Sequence, residues 1–393
     1  MFPKDFFWGA ATSAHQVEGG TFNDWSEWEK KSAKLKVESA KLRGGWPEYI
    51  LKNYPNPLQE ENYISGQACD HYHRFREDFS IAKSLGHNAH RFSIEWSRIE
   101  PEEGRFDEKE IQHYREVLLA LRERGIEPFV TLWHWTLPLW LRDKGGVLAE
   151  DFPNYFARFA GSMVKEFPNV HFWITLNEPN IYCANSFLKG MWPPQKKSLF
   201  AFLSACRSLM LAHRFAFAQI KKDFPAVQIG IAQNMVYFYM LPLGSFIWNH
   251  LFLFFTRDQQ DFVGVNYYTS SRTTGRRADL FKSIDPKGFY VVLREAARYK
   301  KPIYVTENGI ADTRDIQRAE FIKDHVGALG RALEAGISVK GYLHWSLLDN
   351  FEWDKGFWPR FGLVEVDHQT MERKIRPSAY EYKKIIEMSR LPV

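Results

Sequence analysis

Cysteine is nearly absent. Cys69, Cys183 and Cys206 are the only three in 393 residues. An odd, sparse set without a CxxC pair excludes a disulfide framework and a cysteine-based zinc site, so these are expected to be reduced core thiols. No apolar run approaches the ~20 residues of a membrane span. The chain opens without a charged stretch leading into an apolar segment and a cleavage site, and it has no Asn-x-Ser/Thr sequon, so a cytoplasmic location is expected. The net charge is +5, with basic pairs scattered (Lys30-Lys31, Lys196-Lys197, Arg276-Arg277, Lys300-Lys301) and no long basic block, so nucleic acid is not an expected partner. Neither GxGxxG nor a P-loop occurs. No linker or low-complexity tract divides the chain, and residues 1–393 are expected to form one elaborated α/β domain.

Aromatic residues, in contrast, are plentiful, at 16% with 14 Trp. They fit either a large aromatic core or a pocket lined with flat faces for a ring-shaped ligand. Eight short apolar, β-prone runs alternate with segments of helical periodicity. The runs lie at about 6–12, 89–94, 128–133, 171–176, 227–232, 262–267, 302–306 and 339–345. Helical segments are expected at 66–85, 107–124, 151–167, 198–222, 245–256, 287–299, 315–335 and 378–388. The polar stretch up to Ser65 reads as a long first loop with one short helix. Strand–helix alternation repeated eight times predicts a single (β/α)8 TIM barrel, with a doubly wound open sheet as the alternative.

In such a barrel the strand C-termini converge on one mouth. The fourth strand ends in Asn177-Glu178-Pro179, where the proline stops the ladder and leaves a carboxyl at the tip. The seventh ends in Thr306-Glu307-Asn308-Gly309 with the same grammar. The other tips offer Gln16, Arg91, His134-Trp135, Asn266-Tyr267-Tyr268 and Trp345, and the last loop adds Glu352-Trp353. Amides and carboxylates suit neutral hydroxyls, and indole faces suit sugar C–H groups. Two carboxylates facing one bond suit acid/base and nucleophilic work on an acetal. No metal or cofactor is called for. His71 and His73 are an i,i+2 pair on a helix and face different sides. Hydrogen bonds are expected for His87 and His90, and plain core positions for Trp133 and Trp173.

Several long motifs carry a resemblance. They are Phe7-Trp8-Gly9-Ala10-Ala11-Thr12-Ser13, Thr175-Leu176-Asn177-Glu178-Pro179, Val305-Thr306-Glu307-Asn308-Gly309 and Trp345-Ser346-Leu347-Leu348-Asp349-Asn350-Phe351-Glu352-Trp353. In them the chain resembles the retaining β-glycosidases of glycoside hydrolase family one, from about Phe2 to Ile386. The resemblance implies Glu178 as general acid/base and Glu307 as nucleophile. Gln16, His134, Asn177, Glu352 and Trp353 match positions that hold the sugar. Arg91 and Tyr268 match groups that position the nucleophile and stabilise its charge, and Trp345 matches the platform under the ring. Trp135 and Asn266 are expected beside the substrate. His15 and Thr136 depart from the usual Tyr and Asp.

The implied reaction is double displacement on a small-molecule β-glycoside. It demands a protonated Glu178 and an ionised Glu307 in the free enzyme. The alternatives are a 6-phospho-β-glycosidase, which Glu352 disfavours by repelling a phosphate, and a sugar-binding pseudoenzyme. The chain is short for the family between the fifth and sixth strands and after the sixth. Tyr237 to Leu241 are expected either to fold inward as a plug or to line an apolar crevice beside the site. In the crevice case Arg272, Arg276 and Arg277 would form its polar rim.

Overall fold

The computed structural model describes residues 2–239, 242–271, 276–280 and 283–390. Eight strands form the barrel: β1 (Phe7–Ala11), β2 (Ala89–Ser93), β3 (Glu127–Trp133), β4 (Phe172–Asn177), β5 (Gln228–Asn234), β6 (Phe262–Tyr267), β7 (Ile303–Asn308) and β8 (Val339–Trp345). All neighbours pair in parallel, and β1 closes on β8 from Phe7↔Gly341 to Ala11↔Trp345. The closed barrel is the one expected, and the open-sheet alternative is excluded.

The strands are apolar on both faces because both faces are covered. Alternate residues point inward and outward. Phe129 and Ile174 join the barrel interior, while Val130 and Trp173 pack against the outer helices. Rings from Phe7, Phe129, Phe172, Phe262 and Tyr304 fill the barrel floor, with Phe129 and Phe172 stacked at 4.3 Å. This floor absorbs part of the aromatic excess and puts the open, polar end at the strand C-termini. At the end of β7, Gly309 lies so close to β8 that a Cβ there would meet the Trp345 carbonyl at 1.7 Å. Only glycine lets the two strands meet so close to Glu307.

The first connection corrects the sequence reading. It contains a helix of 20 residues, Asp24–Arg43, rather than one short helix. Asn23 caps it by accepting from Ser26 N at 2.9 Å. Its buried stripe runs through Trp25, Glu29, Ala33, Val37 and Ala40. A buried carboxylate and small residues occupy that stripe, so the apolar periodicity that signals a helix is faint. The other expected helices are present, the clearest being Glu108–Glu123, Phe152–Glu166, Leu199–Asp223 and Arg318–Glu334.

Between β5 and β6, helical turns run over Pro242–Ser245, Phe246–His250 and Leu251–Phe255. Tyr237 is half-buried against the core and bridges to Ser270, while Tyr239 is exposed. Neither lines the cavity at the C-terminal mouth of the barrel, so these two residues do not supply an apolar crevice there. Met240, Leu241 and Arg272 lie outside the described residues. Arg276 is no free rim cation, because it pairs with Asp324 at 2.8 Å and Glu320 at 3.3 Å.

The isolated histidines behave as structural groups, with one exception. His71 bonds Asp78 at 2.8 Å, and His90 bonds Thr12 at 3.2 Å. Both His87 ring nitrogens are buried without a hydrogen-bond partner, against expectation. Burial pushes its pKa down to about 3, so the ring is neutral. Trp133 and Trp173 are core, and all three cysteines are free and buried. Among the described residues no cluster of His, Cys, Asp and Glu could hold a metal ion, and no helix is long and apolar enough to cross a membrane.

Candidate active site

A cavity of about 330 Å³ opens at the C-terminal mouth of the barrel. Glu178, Glu307, His134, Trp135, Tyr268, Trp345, Glu352 and Trp353 all line it. The barrel thus gathers side chains that lie far apart in sequence. Three of these residues have left-handed backbones: Trp135 (φ 79°), Glu178 (φ 41°) and Trp353 (φ 50°). Such conformations cost about 1–3 kcal/mol for a residue with a Cβ and concentrate where side chains must be aimed. Glu178 is fixed there by its N–H, which donates to the Ala232 carbonyl at 2.7 Å. The strand ends at Asn177, and the turn at Glu178 delivers its carboxyl into the mouth.

Glu307 is held from two sides. Arg91 Nη1 donates to Oε1 at 2.5 Å, and the Tyr268 hydroxyl donates to Oε2 at 2.6 Å. Burial raises the Glu307 pKa above its ordinary value, and the Arg91 charge and the Tyr268 hydrogen bond pull against that rise. The same burial, with the charges of Glu307 and Glu178 nearby, pushes the Tyr268 hydroxyl well up, so it remains a donor.

Glu178 sits in a different setting. Its Oε1 accepts from Asn266 Nδ2 at 2.9 Å and from Asn234 Nδ2 at 3.0 Å. Both amide donors reach the same oxygen, and neither carries a charge. Asn177 links the two halves. Its Oδ1 accepts from Arg91 Nη2 at 2.7 Å and from Asn266 at 3.1 Å, and its Nδ2 meets His134 Nε2 at 2.9 Å. Burial and the Arg91 charge push His134 well below its ordinary pKa, so it acts as a neutral ring. The Trp135 indole N–H anchors on the Asn177 carbonyl at 2.9 Å.

Not every expected residue reaches the cavity. Arg91, Asn177 and Asn266 are fully buried and do not line it. Gln16 is also fully buried, and its amide donates to the Phe351 carbonyl at 2.7 Å and to Asn350 Oδ1 at 3.0 Å. Behind Trp353, His15 stacks at 5.5 Å and bonds Glu29 at 2.7 Å, while Thr136 bonds Glu95 at 3.0 Å. Of the two departures from the family pattern, His15 therefore belongs to the support of the indole, and Thr136 is tied to Glu95.

The profile of glycosyl hydrolase family 1 matches residues 1–245 and 273–391. The chain belongs to glycosyl hydrolase family 1. As a family 1 enzyme it is 31% identical to beta-glucosidase A of Thermotoga maritima, an alignment covering 98% of this chain and 97% of that one. It is 32% identical to beta-glucosidase A of Acetivibrio thermocellus over 98% of each. Among solved structures it superposes on a beta-glycosidase from Pyrococcus horikoshii with a TM-score of 0.87, 34% identity, and coverage of 100% and 98%. It also superposes on the Thermotoga maritima beta-glucosidase in complex with deoxynojirimycin, with a TM-score of 0.84, 30% identity, and coverage of 100% and 99%. The Thermotoga alignment runs over 453 positions against a chain of 393, so that relative carries segments this family 1 enzyme lacks. The break in the profile, residues 246–272, begins in the short connection between β5 and β6 and runs on through β6.

Sequence reasoning missed Asn234 and Trp248. The fifth strand was expected to stop at Ala232, yet it continues to Asn234, which pairs in register with Asn266. Trp248 comes from the short connection, lines the cavity and donates to Asn234 Oδ1 at 3.3 Å. An amide two residues beyond an apolar run was the available signal for Asn234. Trp248 had none, because a helical turn carries it back over the mouth.

Proposed function

We propose that this enzyme is a retaining exo-β-glycosidase of the β-glucosidase type, with Glu307 as nucleophile and Glu178 as general acid/base. The observation that carries this reading is the contrast between the two carboxyls. Glu307 lies against a guanidinium and a phenol, which favour the anion that attacks the anomeric carbon. Glu178 lies among neutral amide donors, with Asn266 and Asn234 both on Oε1, and its carboxyl delivers the proton to the leaving oxygen.

In the first step the C1–O bond to the leaving group breaks as Glu307 forms an ester to C1. The Glu178 proton goes to the departing oxygen. In the second step Glu178, now a carboxylate, takes a proton from water, the water oxygen bonds to C1, and the ester breaks. Trp345 and Trp353 offer faces to the ring, and Glu352 accepts from sugar hydroxyls. His134, neutral and aligned by Asn177, serves the same sugar. The substrate is a small-molecule β-glycoside, and the expected location is cytoplasmic.

Proton NMR of the first product tests the mechanism. A retained anomeric configuration is expected, together with carboxyl groups about 5–5.5 Å apart. An inverted product would overturn it. Glu307→Gln should abolish turnover on every substrate.

A further inference from the structure

Two asparagine amides meet Glu178 Oε1, and an asparagine amide can stand either way round. Its two ends have nearly the same shape and opposite polarity. With Nδ2 toward a carboxyl it donates and favours the anion; with Oδ1 there it accepts and favours the acid. Which end faces Glu178 is decided by what the other end meets. Asn266 Oδ1 accepts from the Thr306 hydroxyl at 2.6 Å. Asn234 Oδ1 accepts from the Trp248 indole N–H at 3.3 Å, its one donor among the described residues. A hydroxyl can donate or accept, whereas an indole N–H only donates. Trp248 therefore supports a single orientation of the Asn234 amide, the one with Nδ2 on Glu178 at 3.0 Å.

Trp248 is itself held in place. It rides on a wide π-helical turn, Phe246–His250, in the short connection between β5 and β6. Turns of this kind concentrate at functional sites. The Trp248 carbonyl accepts from Gln233 Nε2 at 3.0 Å and from Asn180 Nδ2 at 3.2 Å. Asn180 follows Glu178 by two residues and Gln233 precedes Asn234, so the turn is tied to the tips of β4 and β5. The Asn180 amide also donates to the Asn234 carbonyl at 3.0 Å. One residue beyond Trp248, the Asn249 side chain makes two hydrogen bonds with the backbone of Val236, each 2.9 Å. Asn180, Gln233 and Asn249 are all buried. Three buried amides thus fix the turn that carries the indole. Trp248 lies within residues 246–272, which the family 1 profile leaves unmatched, so the family pattern does not supply it.

We propose that Trp248 is a positioning residue for Glu178, its indole N–H locking the Asn234 amide with the donor end on the carboxyl. This role deepens the β-glycosidase reading and rests on it for the function of Glu178. The lock matters because Glu178 alternates between two forms. It gives up its proton in the first step and works as a carboxylate in the second, where it needs a donor beside it. Without the indole N–H the amide is free to turn, and an oxygen facing the carboxylate opposes that form. Loss of the lock therefore holds the proton on Glu178 to higher pH.

Trp248→Phe tests this, because it keeps a ring on the cavity wall and removes the N–H. Phenyl β-glucoside is the substrate, since its leaving group needs the proton. The basic limb of the pH profile of kcat/KM, which falls as Glu178 ionises, should move to higher pH by about 0.5–1 unit. Trp248→Leu, a second variant without the N–H, should move it equally. Asn234→Leu removes the amide altogether and should shift the limb in the same direction. The double variant Trp248→Phe, Asn234→Leu should shift it no further than Asn234→Leu alone, because the indole acts only through that amide. A limb unmoved by loss of the N–H, shifts that add in the double variant, or a change in KM with the limb in place would each overturn the proposal. Glu178→Gln separates the two layers, since it should remove the basic limb. If the limb survives in Glu178→Gln, the assignment of the acid fails and the lock falls with it. If the limb disappears there but stays in place in Trp248→Phe, only the lock fails.

Discussion

Arg91 and Glu307 meet at 2.5 Å, with the arginine side chain fully buried and the carboxylate nearly so. The contact joins β2 to β7 across the barrel interior. Arg91 also donates to Thr131 Oγ1 at 3.0 Å and to the Thr306 carbonyl at 3.2 Å. Its guanidinium is therefore clamped against Glu307. Breaking a buried pair of this kind costs about 3–5 kcal/mol, because the remaining charge is left uncompensated.

The first prediction concerns the charge state of Glu307. The Tyr268 hydroxyl favours the anion, so Tyr268→Phe removes a force that lowers the Glu307 pKa. The acid limb of the pH profile of kcat/KM should move to higher pH. Arg91→Met should move it further in the same direction, with lower stability. A profile unchanged in both variants would show that neither group sets the ionisation of the nucleophile.

General acid catalysis is the second. Glu178→Gln should reduce turnover of a methyl glycoside by about 10²–10⁴-fold and slow a dinitrophenyl glycoside much less in its first step. Azide should rescue Glu178→Ala by replacing water. Asn234→Ala removes one of the two donors on Glu178 Oε1 and should show the same leaving-group dependence more weakly. A loss of equal size on all leaving groups would remove both assignments.

At the sugar-binding end, Glu352→Ala should weaken transition-state binding of sugars with free 4- and 6-hydroxyls. A hydrogen bond to a charged group contributes about 1.5–3 kcal/mol. The corresponding deoxy sugars should lose less on the same substitution. A double cycle in which parent and deoxy sugar lose equally would show that Glu352 does not touch those hydroxyls.

Stability should carry a pH signature from Asp24. Burial, reinforced by the charge of Glu95, raises its pKa from 3.8 to about 7. A carboxyl raised in the folded state contributes stability while protonated, fully present below its unfolded pKa and lost as pH rises through about 7. Asp24→Asn keeps an acceptor for the N–H groups of Leu137 and Trp25, which bond Asp24 at 2.7 and 3.0 Å. Relative to wild type, the variant should gain on the order of 2–4 kcal/mol between pH 4 and pH 8 in urea unfolding. A constant difference across that range would show that Asp24 titrates normally.

The sequence alone determined the barrel, because parallel strands buried on both faces must be continuous apolar runs and eight such runs are visible. It also determined the two carboxylates, since Pro179 and Gly309 mark where β4 and β7 must end. Most of the surrounding set was legible for the same reason: residues at strand tips share one mouth whatever their spacing. What the sequence could not express was the role of each. That Arg91, Asn177, Asn266 and Gln16 do not line the cavity depends on depth along the strands, which only the packed barrel fixes. Asn234 was hidden because β5 runs two residues past its apolar stretch. The helix Asp24–Arg43 was hidden because its buried face holds Glu29 and alanines, whose burial is stabilised by His15, Ser65 and the neighbouring rings and not by hydrophobic periodicity. That helix exists only through contacts between segments distant in the chain, and tertiary structure alone decided it.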